Sequence, residues 1–115
     1  MRLQKGDKVL VAHRRLFEKD ESRFFVGQVD AYEAGMVKIT GRSFVREMMS
    51  GQMIEKVEAR TKILSLSSGT LIVYQLPARA SLDTMRFASA DGILSLSDGQ
   101  GFTMNLGEFS RGGGV

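Results

Sequence analysis

Val, Ile, Leu, Phe and Tyr recur along the chain in short runs separated by Gly, Asp, Ser and Asn, and no useful stretch carries a 3.6-residue apolar period. The pattern predicts strands over 8–17, 24–32, 36–46, 60–66 and 70–76. After Pro77 it predicts a three-strand meander over 85–90, 93–97 and 101–106. A polar loop, 18–23, follows the first strand, and one helical turn is expected within Ala78–Thr84. Glu33-Ala34-Gly35 suits a three-residue hairpin with glycine in the left-handed conformation. Setting Tyr32 opposite Met36 puts Val29 opposite Ile39, Asp30 opposite Lys38 and Gly27 opposite Gly41. Facing glycines remove two side chains at one level and allow a sharp bend, which a small closed barrel needs.

The third strand is expected to run into a second hairpin with its tip at Ser50-Gly51, placing Arg46 opposite Glu55 as a compatible charge pair. Met48, Met49, Met53 and Ile54 surround that tip, either as a contact surface or folded back on the core. The run Thr70–Leu76 is apolar on both faces, so it is either covered on both sides or paired with another chain. Asp91-Gly92 and Asp98-Gly99 read as two-residue hairpin turns. The organisation expected is a small barrel over 1–77, a meander extension of the same domain over 78–110 and a flexible Gly-rich tail over 111–115.

Composition narrows the function classes. A chain of 115 residues, 43% hydrophobic and 25% charged, is expected to fold as one globular domain. With no Cys there are no disulfides, thiolate metal sites or cysteine nucleophiles, and the single His cannot build a histidine metal site. His13 lies beside Arg14 with no evident carboxylate, which suits packing or surface exposure better than catalysis. Ser67-Ser68-Gly69 lacks a nucleophile elbow, and Asp98-Gly99-Gln100-Gly101 lacks the Lys and helix start of a phosphate loop. No catalytic, cofactor or metal residue is therefore assigned, and a non-enzyme is expected. No apolar stretch is long enough for a signal or membrane segment, so the expected location is the cytoplasm and no membrane contact is expected. The net charge of +3 is uneven: 13 Lys and Arg face 9 acids over residues 1–62, whereas 3 face 4 over 63–115.

Two segments resemble a known family. Gly27-x-Val29-x-x-Tyr32-Glu33-x-x-Met36-Val37-Lys38-Ile39 resembles the first signature of the Sm and Sm-like (LSm, Hfq) proteins, and Leu66-Ser67-Ser68-Gly69-Thr70-Leu71-Ile72-Val73-Tyr74 is similar to the second. The resemblance covers about Lys8–Pro77. It implies an all-β chain: an Sm-like or SH3-like five-stranded bent antiparallel barrel, here with a C-terminal β-meander extension. It further implies ring contacts between subunits through the last two barrel strands. The family's base-holding positions fall on Gly35, Val37 and Ser68, which offer no ring, no amide and no guanidinium.

Two functional expectations result. One is a non-catalytic homo-oligomeric binding or scaffold module for a protein partner. Its subunits would meet through Thr70–Leu76, with Leu71, Val73, Tyr74, Ile93, Phe102 and Met104 as interface residues. The other is an RNA-binding Sm-like ring using a basic surface away from the usual uridine pocket. Its candidate residues are Arg14, Arg15, Arg23, Tyr32, Lys38 and Arg42, with Arg46 and the interleaved Phe24 and Phe25 nearby. Against this stands the alternative that the aromatics fill the barrel while the cations are solvated or paired.

Overall fold

The computed structural model of the chain describes residues 3–14, 22–47 and 50–107. The described residues form nine strands, one short 3-10 turn at Leu82–Thr84 and no α-helix. None of its helices is long and apolar enough to cross a membrane. The strands are β1 Lys8–His13, β2 Arg23–Glu33, β3 Met36–Arg46, β4 Met53–Glu55, β5 Arg60–Ser65, β6 Leu71–Leu76, β7 Arg86–Ala90, β8 Ile93–Ser97 and β9 Thr103–Asn105. The chain divides into two compact units, Met1–Ala78 and Arg79–Val115.

In the first unit the antiparallel order is β4-β3-β2-β1-β6, and β5 also pairs with β3. β3 is long enough to serve two partners. Its residues Met36–Gly41 pair with β5, and Phe44–Arg46 pair with β4. β5 and β6 follow one another in the chain but share no ladder, so hydrogen bonding leaves the sheet open rather than closed into a barrel.

Strand alternation places Val9, Val11, Phe25, Val29, Val37 and Ile39 in one buried cluster, with Leu3, Tyr32, Leu64, Leu66, Leu71 and Val73 packed against it. Leu10, Ala12, Phe24, Val26 and Phe44, on the alternate positions, are buried as well. Strands covered on both faces read as continuous apolar runs, as Val9–Ala12 does.

Gly27 stands opposite Gly41, as the sequence pattern leads one to expect. The approach is closer than a side-chain gap. A Cβ on Gly41 would collide with the Val26 carbonyl oxygen and come within 2.6 Å of Gly27 Cα. One on Gly27 would collide with the Thr40 carbonyl and lie 2.8 Å from Ile39 Cγ2. The backbones themselves occupy the space that side chains would need.

The hairpins depart from expectation in register. Val29 faces Ile39, but a bulge at Asp30 shifts the rest, so Lys38 faces Ala31 and Met36 faces Glu33. The turn is then the two residues Ala34 and Gly35, both with positive φ (48° and 81°). That conformation matches the twist of the flanking strands, and the bulge absorbs the extra residue. Asp30, expected to face Lys38, accepts a hydrogen bond from Thr40 Oγ1 at 2.5 Å. In the next hairpin Arg46 faces Met53 and Glu55 faces Phe44. The expected Arg46–Glu55 pair gives way to Arg42–Glu55 at 2.7 Å, while Arg46 is buried and its Nε donates to the Gly51 carbonyl at 3.1 Å. Met53 is half-buried and Ile54 is exposed, whereas Met48 and Met49 lie outside the described residues. The first strand ends at His13 rather than Phe17, and residues 15–17 of that expected strand also lie outside the description.

The second unit is the antiparallel meander β7-β8-β9. Met85, Leu94, Leu96, Phe102 and Leu106 are its buried apolar residues. Asp91-Gly92 forms the two-residue turn between β7 and β8. The expected two-residue turn at Asp98-Gly99 is instead a longer loop built around the Asp98 side chain. This buried carboxylate accepts backbone N–H bonds from Ser81 (3.0 Å), Gln100 (2.7 Å) and Phe102 (3.0 Å). The Ser81 and Gln100 bonds, with the Phe102 bond and nearby Arg79 adding to them, hold its pKa below the usual carboxylate value against the opposing effect of burial.

Candidate anion-binding site

At the end of the first sheet remote from the Ala34-Gly35 turn, five basic side chains from three strands and one connection converge. His13 ends β1, Arg23 begins β2, and the two face each other across the ladder. Arg60 and Lys62 are two residues apart on β5, so they project from the same face of that strand. They face Gly41 and Ile39 of β3. Lys56 comes from the β4–β5 connection, which is tied to β3 by a 2.8 Å bond from the Lys56 N–H to the Ser43 carbonyl. Together with Phe24, Ser43, Phe44 and Val45 these residues line a cleft of about 370 Å³, whose described lining residues include no carboxylate.

The electrostatics follow from crowding. Lys62 extends its ammonium 4.7 Å from the centroid of the Phe25 ring, a cation–π contact made over the level at which Gly27 and Gly41 carry no side chains. Burial, then the charges of Arg60 and Arg23, push the Lys62 pKa below its ordinary value. Burial also leads in lowering the His13 pKa, with Lys62 and Arg23 adding to it, so His13 is neutral at pH 7. Both shifts share their causes: partial burial first, then the positive charges of neighbouring side chains. Of the cleft's cations, Arg60 reaches toward a carboxylate, Glu58, at a loose 3.4 Å on the exposed side. Exposed pairs of that kind contribute little.

An arrangement with two guanidiniums, two ammoniums, an imidazole and a serine hydroxyl can bind an anion. The guanidinium fork matches paired oxygens, and the ammoniums act as point charges. Among the described residues the lining supplies no acid beside His13.

Of the six basic and aromatic residues that the sequence singled out, Arg23 alone lines this cleft. Arg14 is exposed and its Nη1 donates to the Gly69 carbonyl at 3.2 Å, by the β5–β6 turn. Arg15 lies outside the described residues. Tyr32 packs against the core cluster. Lys38 is exposed on the half of β3 paired with β5. Arg42 is engaged by Glu55, its guanidinium 5.6 Å from the Phe44 ring centroid. Phe24 and Phe25 are buried rather than open to a stacking base. Of the positions that the resemblance aligns with a base-holding pocket, Val37 is fully buried and Ser68 Oγ donates to the Ser65 carbonyl at 3.2 Å.

Among the interface candidates, Leu71 and Val73 turn toward the core cluster, Tyr74 is half-buried, and Phe102 belongs to the interior of the second unit. Met104 is half-buried and Ile93 is 47% exposed. Sequence reasoning missed Lys56, Arg60, Lys62 and the place of His13. The spacing Lys56-x-x-x-Arg60-x-Lys62 is the signal that was available, since two alternating cations on one strand share a face. No family model, curated protein or solved structure matches the chain.

Proposed function

We propose that the chain is a non-catalytic binding module of the Sm-like, SH3-like small-barrel type, and that it holds RNA on the basic cleft instead of at the turns where a uridine pocket would lie. The observation that carries this is the convergence of five basic side chains, His13, Arg23, Lys56, Arg60 and Lys62, on one cleft, with no carboxylate among its described lining residues. The barrel type is supported by the strand order, in which β5 and β6 flank a β3-β2-β1 core, and by the close approach at Gly27 and Gly41. RNA is favoured because a phosphate strand supplies negative charge to clustered cations; Gly35, Val37 and Ser68, which cannot read a base, place the contact on this cleft and not at the usual uridine positions.

The test is a titration of labelled single-stranded RNA at several salt concentrations. The logarithm of affinity should fall linearly with the logarithm of salt, by about 0.7 per phosphate neutralised. Substituting Arg23→Ala should lower that slope by about 0.7 and weaken binding of every sequence alike. Affinity that does not change with salt or with R23A would overturn the proposal.

Homo-oligomerisation by strand addition is favoured by a separate observation. Among the described residues β5 pairs only with β3 and β6 only with β1, which leaves one edge of each open. Ile63, on β5, is 66% exposed. An open apolar edge invites a further strand. Light scattering should give a multiple of the 12.7 kDa chain mass, falling toward one copy in Ile63→Lys.

A further inference from the structure

We infer that the cleft is built for a terminal phosphate monoester, the end of a strand rather than its interior, a deepening that rests on the proposed RNA-binding function. A groove that follows a strand spreads its cations along the backbone, one to each passing phosphodiester. Here they come together from opposite directions. His13 and Arg23 face each other across one ladder step, Arg60 and Lys62 enter from β5, and Lys56 enters from the connection before it. The cleft, about 370 Å³, is at the small end of ligand cavities, with room for a terminal phosphate and part of the nucleotide that carries it. An internal phosphodiester carries one charge, whereas a monoester carries close to two at pH 7 and presents three acceptor oxygens.

Three acceptors match the groups available. The Arg23 and Arg60 guanidiniums can each take a pair of oxygens, and the Lys62 ammonium stands at the inner wall against Phe25. The Ser43 side chain adds a neutral donor. The lowered pKa values of His13 and Lys62, due first to burial and then to neighbouring cations, are consistent with a site at which negative charge is favoured. Phe24 and Phe44 lie in the lining but are buried, so the site grips the phosphate and leaves the nucleobase unread.

The experiment compares one RNA sequence of about ten nucleotides, within the usual single-strand site size, in three forms: hydroxyl at both ends, phosphate at the 5′ end, and phosphate at the 3′ end. Binding is followed by fluorescence anisotropy at fixed salt. At least one phosphorylated form should bind about tenfold or more tightly than the hydroxyl form, since the second charge sits within a few ångströms of several cations. Arg23→Gln, at an exposed position that the fold does not need, should abolish the difference between forms. Lys62→Met should do the same while keeping the apolar stem over Phe25. Inorganic pyrophosphate should compete with the phosphorylated form, and competition equally strong against the hydroxyl form would count against the terminal assignment. Equal affinity for all three forms, with R23Q weakening each alike, would overturn the terminal-phosphate inference while leaving RNA binding in place. No salt-dependent binding of any form would overturn both.

Discussion

The closest approach in the fold is made by residues without side chains. A methyl group on Gly41 would meet backbone on the neighbouring strand, the Val26 carbonyl and Gly27 Cα, neither of which can swing aside as a long side chain could. Relief requires β2 and β3 to separate where they pack most tightly. Overpacking typically costs about 1–3 kcal/mol, and an unyielding backbone neighbour puts Gly41→Ala at the upper end of that range. In a unit of this size about 3 kcal/mol lowers the melting temperature by roughly 10–20 °C. Thermal denaturation followed by circular dichroism checks this, and a Gly41→Ala protein that melts with the wild type would mean that the strands do not cross so closely. The crossing was legible in the sequence because the expected three-residue turn and the observed two-residue turn with its bulge at Asp30 give the same register from Val29 onward, away from the turn. Lys62 was not. Its neighbours His13, Arg23 and Phe25 belong to strands that reach β5 only through β3, and nothing local fixes that register.

At the scale of elements, the β8–β9 connection shows how one side chain changes a turn. Asp-Gly after an apolar strand ordinarily marks a tight two-residue hairpin. Here the Asp98 carboxylate is buried and collects three N–H donors from both sides of the loop, while its own carbonyl accepts from Thr84 Oγ1 at 2.7 Å. The loop is thus ordered by side chain-to-backbone bonds that a dipeptide signal cannot reveal. Its pKa lies below the usual value in the folded chain, so an unfolded chain binds this proton more readily. The resulting stability is present above the ordinary carboxylate pKa and is lost as pH falls through the lower, folded value. Asp98→Asn, which can accept through only one oxygen, should remove that acid dependence and speed hydrogen exchange at the Ser81, Gln100 and Phe102 amides. Unchanged protection at all three would show that the carboxylate does not hold the loop. The same lesson applies to β2–β3 and β3–β4. The strands themselves were readable from alternation, but a bulge at Asp30 and a shifted hairpin at β4 set which charges meet. Charge pairs inferred from index arithmetic failed for that reason.

For the whole molecule, the one histidine makes the neutral pH range unusually easy to interpret, since no other imidazole titrates there. Burial, Lys62 and Arg23 hold the His13 pKa below its ordinary value in the folded protein. The unfolded chain therefore takes up a proton first as pH falls, and the free protein should lose stability from about pH 7 downward through the ordinary imidazole range. A bound phosphate reverses the sign. The negative charge of a phosphodiester, which does not itself titrate in this range, favours the imidazolium beside Arg23 and Lys62, so binding of a hydroxyl-ended strand is accompanied by proton uptake and its affinity rises as pH falls from 7.5 to about 5.5. The two trends oppose one another in the same protein over the same window, which separates them from a general effect of acid. Melting temperatures measured across this range, with and without a hydroxyl-ended strand whose phosphodiesters keep their charge throughout, should show a ligand-induced increase that grows toward low pH. His13→Gln keeps a polar side chain without the titration and should flatten both dependences. If that variant retains both slopes, protonation at the cleft is not what couples pH to binding, and His13 is a packing residue that happens to lie among the cations.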